Sequence, residues 1–400
     1  MKYRTILTSC IIVASLGASA SDINVKLKGV VDFQAGYFNS NAPTGFLDEN
    51  GLRPNRISRY QKDFAFLNTA SLGLEAINTL EDGFIYGAKL GIETTAKSSR
   101  KFQSCLFVQG DYGRGEMGSD QSAASKMRIT PYSIASGAGA TWDIWVKADP
   151  TATKTSEVPF VTGFSNFLDQ KMRSSGKIEY SRKVTYYTPE IYGLQAGVSF
   201  IPDSSNVGYT DIKDTSVTHS PVYSKYYFYI KNGVSGGVTY KYDISKDLKM
   251  KLSLVGENGK VIAIAKNVKT TLPYDFGYLQ TFNVGAQIDY LDWSFACAYA
   301  DYLNSLTKHT ELRKATNIFG GSIRYKINDA SFSLAHIRSM HKNNKVHATT
   351  LGADYKIAPG LKTYAEATYF ESKGAYLSED FTKSTSHKGV IGLVGAKLEF

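Results

Sequence analysis

"INVKLKGVVDFQAGY", Ile23 to Tyr37, alternates with period two along its whole length. Ile23, Val25, Leu27, Val31, Phe33, Ala35 and Tyr37 share one parity, and Asn24, Lys26, Lys28, Asp32 and Gln34 the other. Successive side chains of a strand point to opposite faces, so the stretch reads as a strand with one apolar and one polar face. Fifteen residues is far longer than the ~5–6 of an ordinary globular strand. A tilted strand that crosses a bilayer needs roughly 9–11 residues plus its ends, so the length itself points to a membrane wall.

The alternation returns down the chain. Ala70, Leu72, Leu74 and Ala76 oppose Ser71, Gly73 and Glu75; "EDG" at Glu81 to Gly83 makes a tight turn; Phe84, Tyr86, Ala88, Leu90 and Ile92 then resume against Lys89 and Glu93. Further hairpins turn at Pro189 to Gly193, Asp243 to Asp247, Leu291 and Asp292, Lys326 to Asp329, and Ile357 to Gly360, where Gly, Pro, Asn and Asp supply tight-turn angles. Longer stretches lie between them, at 39–62, 119–174, 203–224, 258–277, 303–315 and 372–387. With Tyr226 to Tyr242 taken as one strand, the count is sixteen, even, and both ends fall on one side. Short turns alternating with long loops are the asymmetry of a transmembrane antiparallel β-barrel with periplasmic turns and external loops. Unpaired backbone groups cost several kcal/mol each in hydrocarbon, so spanning strands must close into a ring. A soluble sandwich or β-helix is the rival, and no second layer is evident to cover the apolar faces.

Composition agrees with a wall of this kind: 27 Tyr, 21 Phe and 3 Trp stand beside 35 Gly and only 10 Pro. The start, "MKYRTILTSCIIVASLGASA", has a basic beginning at Lys2 and Arg4, an apolar run and small residues ending at Ala20. It reads as a signal peptide over 1–20, leaving a single barrel over 21–400. Without Lys2 and Arg4 the chain keeps 44 basic against 36 acidic side chains. They are scattered singly, so solvated surface charge is expected and nucleic acid is not. Cys10, Cys105 and Cys297 form no disulfide or zinc pattern. "HIRSMHKNNKVH" brings three histidines close, read as exposed loop histidines rather than ligands. No catalytic or nucleotide motif occurs and no cofactor is expected, so the chain is not read as an enzyme. A barrel protease or lipase, or a non-conducting surface adhesin, remains the alternative.

"GDYGRGEMGS" (Gly110 to Ser119), "KVTYYTPEIYGLQAGVSFIPD" (Lys183 to Asp203), "ASLGLEAINTLEDGFIYGAKLGIE" (Ala70 to Glu93) and the terminal Phe400, in that setting, resemble Gram-negative general diffusion porins, particularly the alphaproteobacterial type. The resemblance implies a sixteen-stranded barrel, a homotrimer in the outer membrane, and a water-filled channel for small hydrophilic solutes and ions. Its further partners would be the barrel assembly machinery, outer-membrane lipid, and lipopolysaccharide if present. It also implies that the third loop, 119–174 here, folds inward as a constriction, and that Phe400 serves as an assembly signal. Strand parity gives the lumen candidates: Lys26, Lys28, Glu75, Lys89, Glu93, Lys177, Lys183, Lys249, Lys251 and Arg324. By the family pattern, Lys26, Lys28, Lys89 and Lys177 would face loop acids, chosen as Asp143, Asp149 and Glu157. The excess of inward lysine predicts a mild preference for anions.

Overall fold

The computed structural model describes residues 23–40, 62–94, 100–139, 142–145, 164, 168, 170–172, 177–204, 226–265, 274–303, 305, 316–341, 344–374 and 385–400. The leader expected at 1–20 lies outside them. Strands β1 (Asn24–Ser40), β2 (Lys62–Thr79), β3 (Ile85–Thr94), β4 (Arg100–Gly110) and β5 (Gly113–Ser119) come first. An inward loop, then β6 (Gln170–Met172), β7 (Lys177–Tyr180) and β8 (Arg182–Tyr187), follow them. The wall continues through β9 (Leu194–Asp203), β10 (Tyr226–Asp243), β11 (Leu248–Ala265), β12 (Tyr274–Tyr290) and β13 (Trp293–Asp301). It ends with β14 (Thr316–Ile327), β15 (Ala330–His341), β16 (Asn344–Ala358), β17 (Leu361–Gly374) and β18 (Thr385–Glu399).

Each wall strand pairs antiparallel with the next, and β1 pairs with β18. β7 and β8 are two halves of one stave separated at Ser181, and β6 is a short extra strand against β7, so the barrel has sixteen staves. At β5 the chain leaves the wall after Ser119. Beyond that point β7 bridges the gap by pairing directly with β4, in parallel, from Arg100 and Lys177 to Phe102 and Glu179. This is how the sheet stays closed although one strand stops short to send a loop inward.

The turns fall where the sequence places them, with Gly83, Leu291, Asn328 and Gly360 at positive φ. One expected loop, 258–277, is shorter than its sequence suggests, because β11 runs on to Ala265 and β12 begins at Tyr274. The "ENGK" at Glu257 to Lys260 sits beside a register shift between Lys260 and Ile262, so an apparent turn signal is absorbed as an irregularity inside the strand.

The outward face is apolar. Val31, Leu72, Leu90, Leu106, Val198, Leu254, Val284, Leu351 and Val394 are all exposed. Exposed aromatics collect near both rims: Tyr112, Tyr192, Tyr242, Tyr290, Trp293 and Tyr355 by the turns, Tyr37, Phe200, Tyr278, Phe319 and Tyr369 toward the loops. An apolar band between two aromatic girdles is the signature of a wall facing lipid.

Closure is completed by the last residue. Gly29 N–H donates to Phe400 O at 2.7 Å and Phe400 N–H donates to Gly29 O at 3.0 Å. The Phe400 ring lies over Gly29, where a Cβ would overlap it. Phe400→Ala keeps the backbone pair but uncovers the glycine. A cross-strand aromatic contact of this kind contributes roughly 0.2–1 kcal/mol. The variant should therefore unfold at slightly lower temperature in detergent, with circular dichroism still showing a β-rich barrel.

Candidate functional site

The inward loop begins at Asp120 and follows the inside of the wall. Its helix α1 (Ala123–Met127) is capped by Ser122, whose side chain accepts from Ser125 N–H. Ala123, Ala124 and Met127 pack on Tyr187 and Val255. A single 3-10 turn, Pro131–Ile134, crosses β13, β14 and β15, and α2 (Trp142–Trp145) reaches the seam where β18 meets β1.

Inward-facing hydroxyls hold this belt. The N–H of Ala123 donates to Ser199 Oγ (2.8 Å), that of Ile129 to Ser253 Oγ (3.1 Å), that of Ser136 to Ser333 Oγ (2.8 Å) and that of Gly137 to Asp354 Oδ1 (2.7 Å). Ser322 Oγ donates to Pro131 O at 2.6 Å, and Ser235 Oγ to Ser122 Oγ at 2.8 Å. A loop laid against a sheet would otherwise bury unsatisfied backbone groups. Wall serines at period-two positions supply the partners.

The far end of the belt is apolar. Trp142 and Trp145 join Phe38, Ile337, Val346, Ala348, Phe370, Ile391 and Leu393 in one buried cluster, with Trp142 stacked on Phe370 at 5.6 Å between centroids. Gly36 lets the Trp145 ring approach β1, because a Cβ there would overlap it. Trp145 Nε1–H donates to Gln34 Oε1 (3.2 Å), Gln34 Nε2 donates to Asp32 Oδ2 (3.0 Å), and the Tyr364 hydroxyl donates to Asp32 Oδ1 (2.6 Å). The loop thus rests across the closing seam of the barrel.

The root of the belt is ionic. Lys126 Nζ lies 2.5 Å from Glu116 and 2.7 Å from Asp120, and Arg114 Nε lies 2.8 Å from Glu116. Gln103 donates to Asp120 Oδ1, and Lys183 donates to the Asp120 backbone oxygen. Glu116 and Asp120 are only 6% and 3% exposed, so the carboxylates depend on these partners. Burial pushes the Asp120 carboxyl up. The Lys126 ammonium and the Gln121 N–H outweigh burial and hold it below the ordinary aspartate value. Burial pulls Lys126 down, and Asp120 and Glu116 more than reverse this, so it stays protonated.

Beyond the belt, Glu75 sits between Lys28 at 3.0 Å and Lys89 at 3.8 Å. Lys89 and Arg114 both lie over the Phe107 ring, at 5.5 and 4.0 Å. Among these described residues the group totals five cations, Lys28, Lys89, Arg114, Lys126 and Lys183, against the three carboxylates Glu75, Glu116 and Asp120.

The structure therefore brings together Lys28, Glu75 and Lys89 of the residues read from parity. Lys26 shares their face and is in register with Glu75. Lys183 is buried at the loop root instead of bordering open water. Arg324 is on β14, where it donates to Ser294 Oγ at 3.1 Å, apart from this group. Lys249 and Lys251 lie on β11, in register with Asp289 and Gln287. Lys177 begins β7 beside Arg100, and Asp143 sits on α2; their side chains are outside the described part. Asp149 and Glu157 lie outside the described residues altogether. His336 and His347, read as loop histidines, are on facing wall strands with ring centroids 6.0 Å apart. Parity did not single out Arg114, Glu116 or Asp120, although "GRGEMGSD" carries all three, at i, i+2 and i+6.

Comparison with known proteins adds an independent line. A family model described as Gram-negative porin matches residues 7–375. A protein of Rickettsia bellii is 31% identical, covering 96% of this chain and 94% of its own length. Among solved structures, an anion-selective porin from Comamonas acidovorans superposes with a TM-score of 0.58 at 18% identity, over 95% of this chain and 100% of that one. The outer-membrane channel DcaP of Acinetobacter baumannii gives 0.55 at 13% identity, over 96% and 99%.

Two outcomes follow from the belt. Trp145→Ala removes a large buried side chain, a change that costs about 3–5 kcal/mol when the site cannot collapse, and should free the loop end, seen as noisier single-channel current. At the root, the depressed Asp120 value means its contribution is complete above the ordinary aspartate pKa of about 3.9 and is lost as pH falls through the lower folded one. Current noise should rise reversibly only under strong acid, and Asp120→Asn should remove that acid limb.

Proposed function

The chain belongs to the Gram-negative porin family, and from that premise we propose a passive, weakly anion-preferring channel whose open path runs past Lys28, Glu75 and Lys89. Porins are outer-membrane channels, and a closed barrel with a polar-sided lumen is the structure such a channel requires. The observation that supports the finer reading is the excess of cations, among the described residues, in the group around Glu75 and the loop root. Fixed lumen charge raises the local concentration of counter-ions, so small anions would enter more readily than cations of the same size. Phe107 under Lys89 and Arg114 adds an aromatic face that keeps the cations directed along the wall.

Of the remaining lumen candidates, Lys177, Arg324, Asp143, Asp149 and Glu157 are kept as lumen-lining residues outside this group, and Lys26 and Lys183 take distinct parts. Lys26 contributes to the open sector, whereas Lys183 serves the loop root. A homotrimer, a leader over 1–20 with a single barrel over 21–400, and Phe400 as the signal for the assembly machinery complete the proposal. The ring over Gly29 gives Phe400 a structural reason besides that signal. Passive diffusion needs no catalytic group, so no enzymatic role is assigned.

Purified protein in a planar bilayer should conduct in steps grouped by three, and the reversal potential in a salt gradient should show mild anion preference. Replacing Lys28 and Lys89 by Glu removes two cations from that sector and adds two acids, and should reverse the preference. Cation preference in the native channel, or an unchanged sign in the double variant, would contradict the assignment.

A further inference from the structure

The outer wall of β15–β17 departs from the lipid-facing pattern in two adjacent places. Toward the turns, a groove of about 510 Å³ is lined by Trp293, Phe332, Leu351, Ala353, Ala365 and Ala367. Small side chains on neighbouring strands, with Ala353 directly opposite Ala365 and Leu351 opposite Ala367, leave a depression between large ones. The depression is apolar and open along the strands, a surface against which an acyl chain can lie.

Immediately toward the loops, the same face turns polar and basic. Lys345 of β16 is directly opposite Lys373 of β17, and Arg338 of β15 is opposite His347, one diagonal step away. Like charges opposite one another across a sheet are destabilising. Among the described residues of this patch one acid is present, Glu371, in register with His347 and with Lys388 of β18 and 2.9 Å from Lys373. His336 is 2.8 Å from Thr349 at the boundary between the two zones. Phe319 and Tyr369, in register with Arg338 and Thr349, are exposed here and mark the depth of the loop-side aromatic girdle, where lipid headgroups lie.

We propose that this wall binds a single phosphate-bearing lipid, with one acyl chain in the Ala353–Ala365–Ala367 groove and its phosphate across Arg338, Lys345 and Lys373. A phosphate would relieve the opposed lysines by accepting charge-assisted hydrogen bonds from both, and Arg338 can present two parallel donors to it. The groove and the basic cluster lie in line on the same face, separated by the Thr349–Tyr369 pair, so one molecule can reach both. Neither feature belongs to the lumen, so the site is independent of ion selectivity.

The test is native mass spectrometry of the detergent-solubilised protein titrated with phosphatidylglycerol or, as the zwitterionic control, phosphatidylcholine. Wild type should hold one phosphatidylglycerol per chain with at least tenfold preference. The triple variant R338Q/K345Q/K373Q should lose that preference, and A365L/A367L should lose retention of both lipids, each with unchanged channel conductance. Equal binding of the two lipids, or undiminished preference in the triple variant, would overturn the proposal. So would loss of subunit association in A365L/A367L with lipid binding intact, which would make the groove a contact between copies of the chain. If A365L/A367L does not assemble, the triple variant, which changes only headgroup-level polar residues, decides alone.

Discussion

Everything in this molecule follows from the demand that no backbone N–H or C=O face hydrocarbon unpaired. The wall meets it by pairing β18 with β1 and by the two backbone hydrogen bonds that Phe400 exchanges with Gly29. The same demand explains the parallel contact of β7 with β4. Where β5 leaves the wall, the next strand takes over its hydrogen-bonding edge and the ring remains closed.

Inside, the constraint reappears in milder form, because water is present but the inward loop lies tight against the sheet. Serines at alternate wall positions receive its N–H groups, an ionic cluster of Arg114, Glu116, Asp120 and Lys126 fixes one end, and a pair of tryptophans fixes the other. Trp145 rests on β1 and β18 through Gln34, Gly36 and Leu393. Closure of the barrel and seating of the loop are therefore coupled, since the surface that receives Trp145 exists only once the seam has formed. Lys28, Glu75 and Lys89 form a separate charged group on β1–β3, the sector proposed to border the solute path.

The wall was legible in the sequence because lipid on one side and a polar lumen on the other enforce strict alternation, as Ile23 to Tyr37 shows without any other information. The loop's resting place was not. Where it covers the wall, inward positions become apolar too, so Ala296, Ala298, Ile337, Val346, Phe370 and Leu393 break the two-face pattern and look like ordinary strand residues. Parity also treats every inward charge alike. It could not tell Lys183, buried and consumed in holding Asp120, from Lys28 and Lys89, which are more exposed and face Glu75. Glu116 and Asp120 were hidden for a related reason: their importance comes from partners on β4 and α1 that adjoin them only in the folded barrel.

The inward loop is held against the serine-bearing wall, and the proposed solute path runs on the side of Lys28 and Lys89. Single-channel recording with a charged thiol reagent tests it directly, using one introduced cysteine at a time in a background with Cys105 and Cys297 replaced by Ser. Cysteine at position 89 should react from the bath and step the current down, while cysteine at position 333, beneath Ser136, should not react. Rapid block at position 333, or none at position 89, would contradict the account.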